Sequence, residues 1–218
     1  MVIPAVDEAQ HITGAVVSAR VPGVDLVVVD GGSLDGTRER AVLAGARVIV
    51  GERGRARQLR RGVEATRGEV VLLLHADSRL PPGWAEAVRE SLADGRVAGG
   101  AFRLRFDETG AVFRVLEWGV RLRVALFGLP YGDQALFVRR RVLEDLGGIP
   151  DVRFMEDLDL VKAIKTRGRL RVLPLPVVTS GRRYRQSGVL RTVLLHGLAV
   201  LAWRAGVPRD RIQAWVRG

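Results

Sequence analysis

The sequence predicts an α/β protein in which helices cover both faces of a mainly parallel central sheet. Short apolar runs alternate with amphipathic stretches through the first half of the chain, at the spacing of consecutive βαβ units. Runs such as Leu26-Val27-Val28-Val29 and Val70-Val71-Leu72-Leu73-Leu74 show no polar alternation, as strands buried on both faces require. They end in Asp30 and in His75-Ala76-Asp77, at the strand ends where parallel sheets hold their ligands.

Val2-Ile3-Pro4 reads as the end of a first strand. That strand is short beside the usual length of about 5–6 residues, as it would be if a residue or two preceded the given start. Asp7-Glu8-Ala9-Gln10 has the look of a capping box and predicts a helix reaching Ala19. Residues 26–30 form a second strand, followed by the Gly31-Gly32-Ser33 turn and a helix over 35–44. A third strand over 47–50, a helix over 56–66 and a fourth strand over 70–74 complete the pattern, and Pro81-Pro82-Gly83 opens a helix near Trp84.

The second half is less regular. Residues 99–106 alternate as a strand, and 111–127 form an amphipathic helix whose basic side carries Arg114, Arg121 and Arg123. A loop over 129–134 leads into a strand over 135–138. Met155-Glu156-Asp157 begins a helix through Thr166. Two short strands (171–173 and 177–180) and basic C-terminal helices follow. Trp84, Trp118, Trp203 and Trp215 fall in helices and are expected as core or interface anchors rather than stacking platforms. No repeat, low-complexity tract or linker interrupts the chain.

The 218 residues, 47% hydrophobic and 27% charged, suffice for one substantial core. They exclude a disulfide scaffold, a collagen-like repeat and a disordered polyelectrolyte. Without cysteine there is no thiolate nucleophile, Cys-ligated zinc or iron–sulfur cluster. The net charge of +11 is unevenly placed: residues 1–159 hold 22 basic and 23 acidic side chains, whereas 160–218 hold 13 basic and one acid, Asp210. The last quarter therefore faces an anionic partner (phosphates, a nucleic acid or an acidic membrane), unless it reflects a bias toward Arg, which supplies 33 of the 35 basic residues. Met1 runs straight into Val2-Ile3-Pro4 with no signal pattern, so a cytoplasmic location is expected. The longest apolar stretch, 189–203, is broken by Arg191, Thr192, His196 and Gly197 and is shorter than the ~20 residues of a spanning helix. It suits a helix lying in the membrane interface.

Several constellations can carry chemistry. Asp30-Gly31-Gly32-Ser33-Leu34-Asp35-Gly36-Thr37 follows a strand and precedes a helix: a carboxylate for a base or ribose beside glycines that let a ligand approach, or a turn with an N-cap. The glycine spacing matches neither the dinucleotide fingerprint nor a P-loop. His75-Ala76-Asp77-Ser78 offers a carboxylate for a hard divalent cation, or a turn cap. Glu156-Asp157 supplies either a general base or the acids that favour a helix start. Gly132-Asp133-Gln134 is a tight turn or a substrate loop. Gly54-Arg55-Ala56-Arg57-Gln58 and Arg182-Arg183-Tyr184-Arg185 are phosphate contacts or solvated basic faces.

In order along the chain, Ile3-Pro4-x-x-Asp7-Glu8, Val28-Val29-Asp30-Gly31-Gly32-Ser33-x-Asp35-Gly36-Thr37, Gly54-x-x-Arg57, Leu73-Leu74-His75-Ala76-Asp77 and Glu156-Asp157 closely resemble the family-two inverting glycosyltransferases of GT-A fold. Gly54-Arg-Ala-Arg-Gln, His-Ala-Asp, Phe127-Gly-Leu-Pro-Tyr-Gly-Asp-Gln and Met155-Glu-Asp look like a small bacterial subgroup. The resemblance covers the chain to about residue 180. It implies a GT-A domain over 1–180, with 181–218 as basic helices packed on it or on a membrane surface.

It further implies that Pro4, Glu8 and Asp30 line the nucleoside pocket and that Arg57, or less surely Arg55, approaches the nucleotide. Asp77, the final acid of a D-x-D-type motif, would hold Mn²⁺ or Mg²⁺ against the diphosphate, with His75 standing where the first acid is usual. Asp157 would be the catalytic base with Glu156 beside it, and Tyr131, Asp133 and Gln134 would face sugar and acceptor. The implied reaction is metal-assisted, inverting transfer of a single hexosyl unit from a UDP- or GDP-sugar to a hydroxyl acceptor. The chain lacks the Q-x-x-R-W motif and spanning segments of polymer synthases. A lipid-linked acceptor would give the basic tail a use on an anionic membrane. Two other readings stand beside this one. A nucleotide-sugar-forming nucleotidyltransferase would want a Gly-rich basic loop after the first strand, where Pro4-Ala5-Val6-Asp7-Glu8 stands instead. A basic nucleic-acid-binding module is disfavoured by the 6% aromatic content and the lack of a recognised motif, so no nucleic-acid partner is expected.

Overall fold

The computed structural model describes residues 1–152 and 154–217. Eight strands form one mixed sheet: β1 (Val2–Ala5), β2 (Val27–Asp30), β3 (Arg47–Val50), β4 (Val70–Leu73), β5 (Ser78–Arg79), β6 (Val97–Phe106), β7 (Leu136–Arg139) and β8 (Arg169–Thr179). Their order is β3-β2-β1-β4-β7-β6-β8-β5. The half built from β1 to β4 is parallel, and β7 joins it antiparallel to both β4 and β6. The resulting sheet is the α/β arrangement of the GT-A fold.

Among the described residues, ten helices flank it: α1 (Ile12–Ala19), α2 (Thr37–Leu43), α3 (Arg55–Glu64), α4 (Trp84–Ala93), α5 (Ala111–Phe127), α6 (Arg140–Asp145), α7 (Glu156–Arg167), α8 (Arg182–Ser187), α9 (Val189–Arg204) and α10 (Arg209–Arg217). The sheet separates two cores, because side chains alternate across a strand. Ile3, Val28 and Leu72 face a core shared with α1 and α4, while Val2, Val29 and Leu73 face one shared with α3 and α7. Gly62 lets α3 lie against β1, since a Cβ there would collide with Val2. A third cluster joins Met155 and Leu158 to Ala199 and Ile212, so α9 and α10 rest on α7. Trp203 donates to Asp159 at 3.1 Å and Arg209 pairs with it at 2.6 Å.

Two sequence expectations are corrected. α1 begins at Ile12 rather than at a capping box over 7–10, and its N-cap residue His11 makes no side-chain cap bond. Residues 7–9 instead hydrogen-bond across to the loop after β2: Asp7 N to Ser33 Oγ (3.0 Å), Glu8 N to Thr37 Oγ1 (2.8 Å) and Ala9 N to Asp35 Oδ2 (2.9 Å). The two short strands expected after α7 are one strand, β8, whose register against β6 jumps between Leu173 and Pro176. The irregularity absorbs Pro174, which has no N–H to give to the sheet.

Trp84 is buried, whereas Trp118 and Trp215 are exposed on α5 and α10. α5 stands largely clear of the body, with Glu117 its one buried residue. Among the described residues, no helix is long and apolar enough to cross a membrane.

Candidate functional site

The carboxyl ends of β1, β2 and β4 open onto one cleft, which the loop before β7 and the start of α7 close from the other side. At the β1 and β2 ends, the cross-loop bonds described above fix the backbone of Asp7, Glu8 and Ala9, and Leu34 N returns one to Asp7 Oδ1 at 2.9 Å. Pro4 pairs in register with Val29 beside them. Asp30 is fully buried and accepts from Gly32 N (3.0 Å), Ser33 N (3.1 Å), the Ser33 hydroxyl and Arg38 Nε (2.6 Å). Burial alone would raise its pKa; the Ser33, Arg38 and backbone donors outweigh that and hold the carboxyl below its usual range.

The heart of the cleft is a knot of opposite charges around Gly132. Arg55, at the start of α3, reaches Glu156 at 3.0 Å and contacts His75 Nε2. Burial and the Arg55 and Arg183 guanidiniums push the His75 pKa well below its ordinary value, so the imidazole is neutral and its Nε2 accepts from Arg55. Arg55 itself is held more firmly charged than usual: burial opposes this, but Glu156, Asp157, Asp133 and Asp77 prevail. Burial raises the Glu156 pKa against the pull of Arg55. Asp157, the next residue, accepts the Gly132 N–H at 2.7 Å. Gly132 leaves room for all of them; a Cβ there would crowd Arg55 and sit 3.1 Å from both Asp157 Oδ2 and His75 Nε2.

Of the residues expected from sequence, the structure brings His75, Asp77, Asp133, Glu156 and Asp157 into this electrostatic cluster. Arg57 lies outside it, paired with the exposed Glu52 at 2.6 Å, and Arg55 takes the interior position. Gln134 is buried and committed within the protein: its NH₂ donates to Phe102 O at 2.9 Å and its Oε1 accepts from Arg123 (3.2 Å) and Tyr131 N (3.3 Å). It braces the loop. Asp133 has a buried oxygen without a hydrogen-bond partner, and burial lifts its pKa to about 6.

The sequence reading left four contributors unassigned. Arg123, on α5, stacks 3.4 Å from the Tyr131 ring centre. Arg183 acts electrostatically on His75 and on His196, a half-buried α9 residue that also feels Asp157. Arg182 pairs with Glu8 and lies 3.5 Å from Asp77 Oδ2. The basic run 182–185 was visible, but nothing local says that it folds back on strand ends more than a hundred residues away.

Backbone strain clusters here as well. The three non-glycine residues with positive φ among the described residues are Asp7 (53°), Ala135 (49°) and Met155 (62°). Each adjoins a residue of the cleft: Glu8, Gln134 and Glu156. Such conformations cost on the order of 1 kcal/mol or more and concentrate where side chains must be aimed.

The chain is similar to several known proteins. The family model described as glycosyl transferase family 2 matches residues 1–147. Glucosyl-3-phosphoglycerate synthase of Mycolicibacterium paratuberculosis is 38% identical over 91 residues, 35% of this chain and 27% of that protein. The match thus spans about a quarter of that curated relative. Among solved structures, glucosyl-3-phosphoglycerate synthase from Mycobacterium tuberculosis, in complex with Mn²⁺, UDP-glucose and phosphoglyceric acid, has TM-score 0.65 and 24% identity, covering 95% of this chain and 79% of that one. The same enzyme with phosphoglyceric acid alone has TM-score 0.66 and 25% identity at the same coverage. A further mycobacterial protein has TM-score 0.61 and 26% identity, covering 95% and 74%. With the family model spanning more than half of its length and the GT-A fold throughout, the chain belongs to glycosyl transferase family 2.

Proposed function

We propose that the protein is an inverting glycosyltransferase, moving one sugar from a UDP-sugar to a hydroxyl acceptor. The observation that carries the reading is the Asp157 carboxylate, held by the Gly132 N–H within one cluster with Asp77 and Arg55. Pro4, Glu8 and Asp30 line the nucleoside side, and Arg55 rather than Arg57 meets the nucleotide. Tyr131 and Asp133 face sugar and acceptor, and His-Ala-Asp in place of D-x-D marks a subgroup of the family.

Asp157 takes the proton of the acceptor hydroxyl as its oxygen attacks the anomeric carbon from the face opposite the diphosphate. The bond from that carbon to the diphosphate oxygen breaks, and the configuration inverts. Glu156, held by Arg55, keeps the start of α7 in place. Arg55 adds positive charge facing the leaving group.

The donor set fits a divalent cation. Asp77 offers one hard carboxylate, and among the described residues no group of three His, Asp or Glu stands ready to enclose a metal. Diphosphate oxygens and water would complete the shell, as Mg²⁺ and Mn²⁺ accept. Mn²⁺ or Mg²⁺ bound at Asp77 supplies charge that neutralises the departing diphosphate. Relatives support the choice of nucleotide and metal: the M. tuberculosis enzyme is known in complex with Mn²⁺ and UDP-glucose, and with Mg²⁺ and UDP. The same enzyme is known with phosphoglyceric acid and with glycerol 3-phosphate. Here Arg123, whose buried Nε lacks a partner, supports an anionic acceptor.

The test is transfer from UDP-sugars and GDP-sugars to a panel of phosphorylated and neutral hydroxyl acceptors, with and without Mn²⁺, reading the product's anomeric configuration by NMR. Inverted product from a UDP-sugar is expected. Retained configuration, or no stabilisation of the protein by any nucleoside diphosphate, would refute the reading.

A membrane-bound form of this activity has its own support. α5 and α9 expose Val115, Trp118, Leu126, Leu190, Leu198 and Leu201, and Arg204 stacks on Phe127 to link the two helices. α9 has no acidic residue, and the single acid of α5, Glu117, is buried and accepts the Phe106 N–H at 2.9 Å. An apolar surface with only positive charge suits an anionic lipid surface. We place the protein in the cytoplasm, peripheral on the inner face of the membrane, with 181–218 joining the catalytic domain to it. Co-sedimentation with phosphatidylglycerol vesicles at low salt, weakened by Trp118→Glu, is expected; indifference to vesicle charge would remove the membrane version.

A further inference from the structure

We propose that Arg182 is a built-in counter-cation of the donor site, which neutralises Glu8 and Asp77 in the free protein and transfers to the diphosphate when a donor binds. The inference rests on the donor reading above and concerns how that site manages its charge. Glu8, Asp77, Asp133, Glu156 and Asp157 all face the cleft, and a diphosphate would add at least two more negative charges. Arg55, which faces the leaving group, already carries Glu156 and His75 deep inside. Arg182 sits nearer the mouth, about one-third exposed, bonded to Glu8 and 3.5 Å from Asp77 Oδ2.

Its backbone is anchored while its side chain reaches. Gly181 N donates to Asp107 Oδ1 at 2.8 Å, and Arg182 N to Ser180 Oγ at 3.3 Å, which pins the chain as it leaves β8. From that anchor the guanidinium crosses to a residue 174 positions earlier. With five donors, it has capacity beyond the one bonded to Glu8, and phosphate oxygens are ligands of the geometry it suits. The second Glu8 oxygen is buried without a partner, so the pair is a half-filled arrangement.

The position also sets up a competition. A divalent cation binds carboxylate oxygens at about 2.0–2.6 Å. With Arg182 as close as it is, that cation would meet a like charge at Asp77, and one of the two must withdraw. Arg182 and the metal therefore exclude each other on Asp77, and Arg182 makes the diphosphate site functional in part without metal.

Calorimetry of the full chain with UDP in EDTA, UDP with Mn²⁺, and Mn²⁺ alone tests this, on wild type, Arg182→Gln, Arg182→Lys and the exposed control Arg57→Gln. Wild type is expected to bind UDP in EDTA. Arg182→Gln should weaken that binding about tenfold or more, the scale of a lost charge-assisted bond, and tighten Mn²⁺ alone about threefold or more. Arg182→Lys keeps the charge and should retain metal-free UDP binding within about threefold, as should Arg57→Gln. Thermal melts show whether each variant is folded; should Arg182→Gln not fold, the Lys variant and the wild-type affinity for UDP in EDTA carry the test. Metal-free UDP binding that Arg182→Gln leaves unchanged overturns the inference alone, as does a wild type that binds UDP only with Mn²⁺. No UDP binding under any condition overturns the donor reading and this inference with it.

Discussion

Glu156 and Asp157 are neighbours in sequence held by different partners: Arg55 lies 3.0 Å from Glu156 Oε1, while the Gly132 N–H donates to Asp157 Oδ2 at 2.7 Å. One carboxylate is neutralised by a buried guanidinium. The other is steadied by backbone amides, those of Gly132 and Leu158.

Asp157→Asn keeps the size and the hydrogen-bond acceptor but removes the proposed base. Turnover is expected to fall about 10²–10⁴-fold. UDP affinity should stay within about threefold of wild type. Steady-state transfer kinetics and calorimetry check the two halves; normal turnover would remove Asp157 from its role.

Arg55→Ala and Arg57→Ala separate two arginines that share a helix. Removing Arg55 leaves the buried Glu156 unpaired and is expected to destabilise the fold by about 3–5 kcal/mol, the cost of breaking a buried pair from one side. Losing Arg57 removes an exposed pair with Glu52 and should cost less than about 1 kcal/mol. Urea unfolding of both variants gives the comparison, and equal losses would contradict the placement of Arg55.

Gly132→Ala puts a methyl group between Arg55, Asp157 and His75. Overpacking here should cost about 1–3 kcal/mol of stability, while a displacement of the base on the scale of an ångström lowers turnover about 100-fold. A folded variant with wild-type kcat would show that the spacing around Gly132 is immaterial.

Asp133 introduces a pH dependence. Its carboxyl titrates near 6 in the folded protein against 3.8 as a free side chain. The folded state thus binds this proton more tightly than the unfolded state. Its contribution to stability is greatest below about pH 4 and declines as pH rises through about 6. Asp133→Asn abolishes that decline and is expected to gain up to about 3 kcal/mol over wild type at pH 7.5, with the gain vanishing near pH 4. Melting curves at the two pH values read it directly.

β2 and β4 were legible because each is an uninterrupted apolar run, and their ends named Asp30, His75 and Asp77 without further help. The start of α1 differs from the expected one because Asp7 and Ala9 find their partners at Ser33 and Asp35, in the loop after the neighbouring strand β2, and a local capping pattern says nothing of bonds that distant in sequence. β5, of two residues, and α6, of six, are too short to impose a period. Arg55 was recoverable: it shares a helical face with the buried Gln58, Leu59 and Gly62, whereas Arg57 faces outward with Arg60, Arg61 and Glu64. Arg182 was not, since a basic run carries no mark of where it folds back.

The pairing of Glu8 with Arg182 also has a consequence in time. Ribosomes extend a chain at about 5–20 residues per second, and the first strands are complete long before β8 and α8 exist. Until then the nascent protein holds a cleft of acidic side chains, and β4 waits for β7 to cover its edge. Neither Glu156 nor Asp157 lies in the first 147 residues, and Arg182 follows later still. The cleft is therefore completed at the end of synthesis, when the last quarter of the chain adds Arg182 and Arg183 to Arg55, and contacts of such long sequence separation are slow to form. Early termination would leave a molecule rich in finished strands with an unbalanced, unclosed centre.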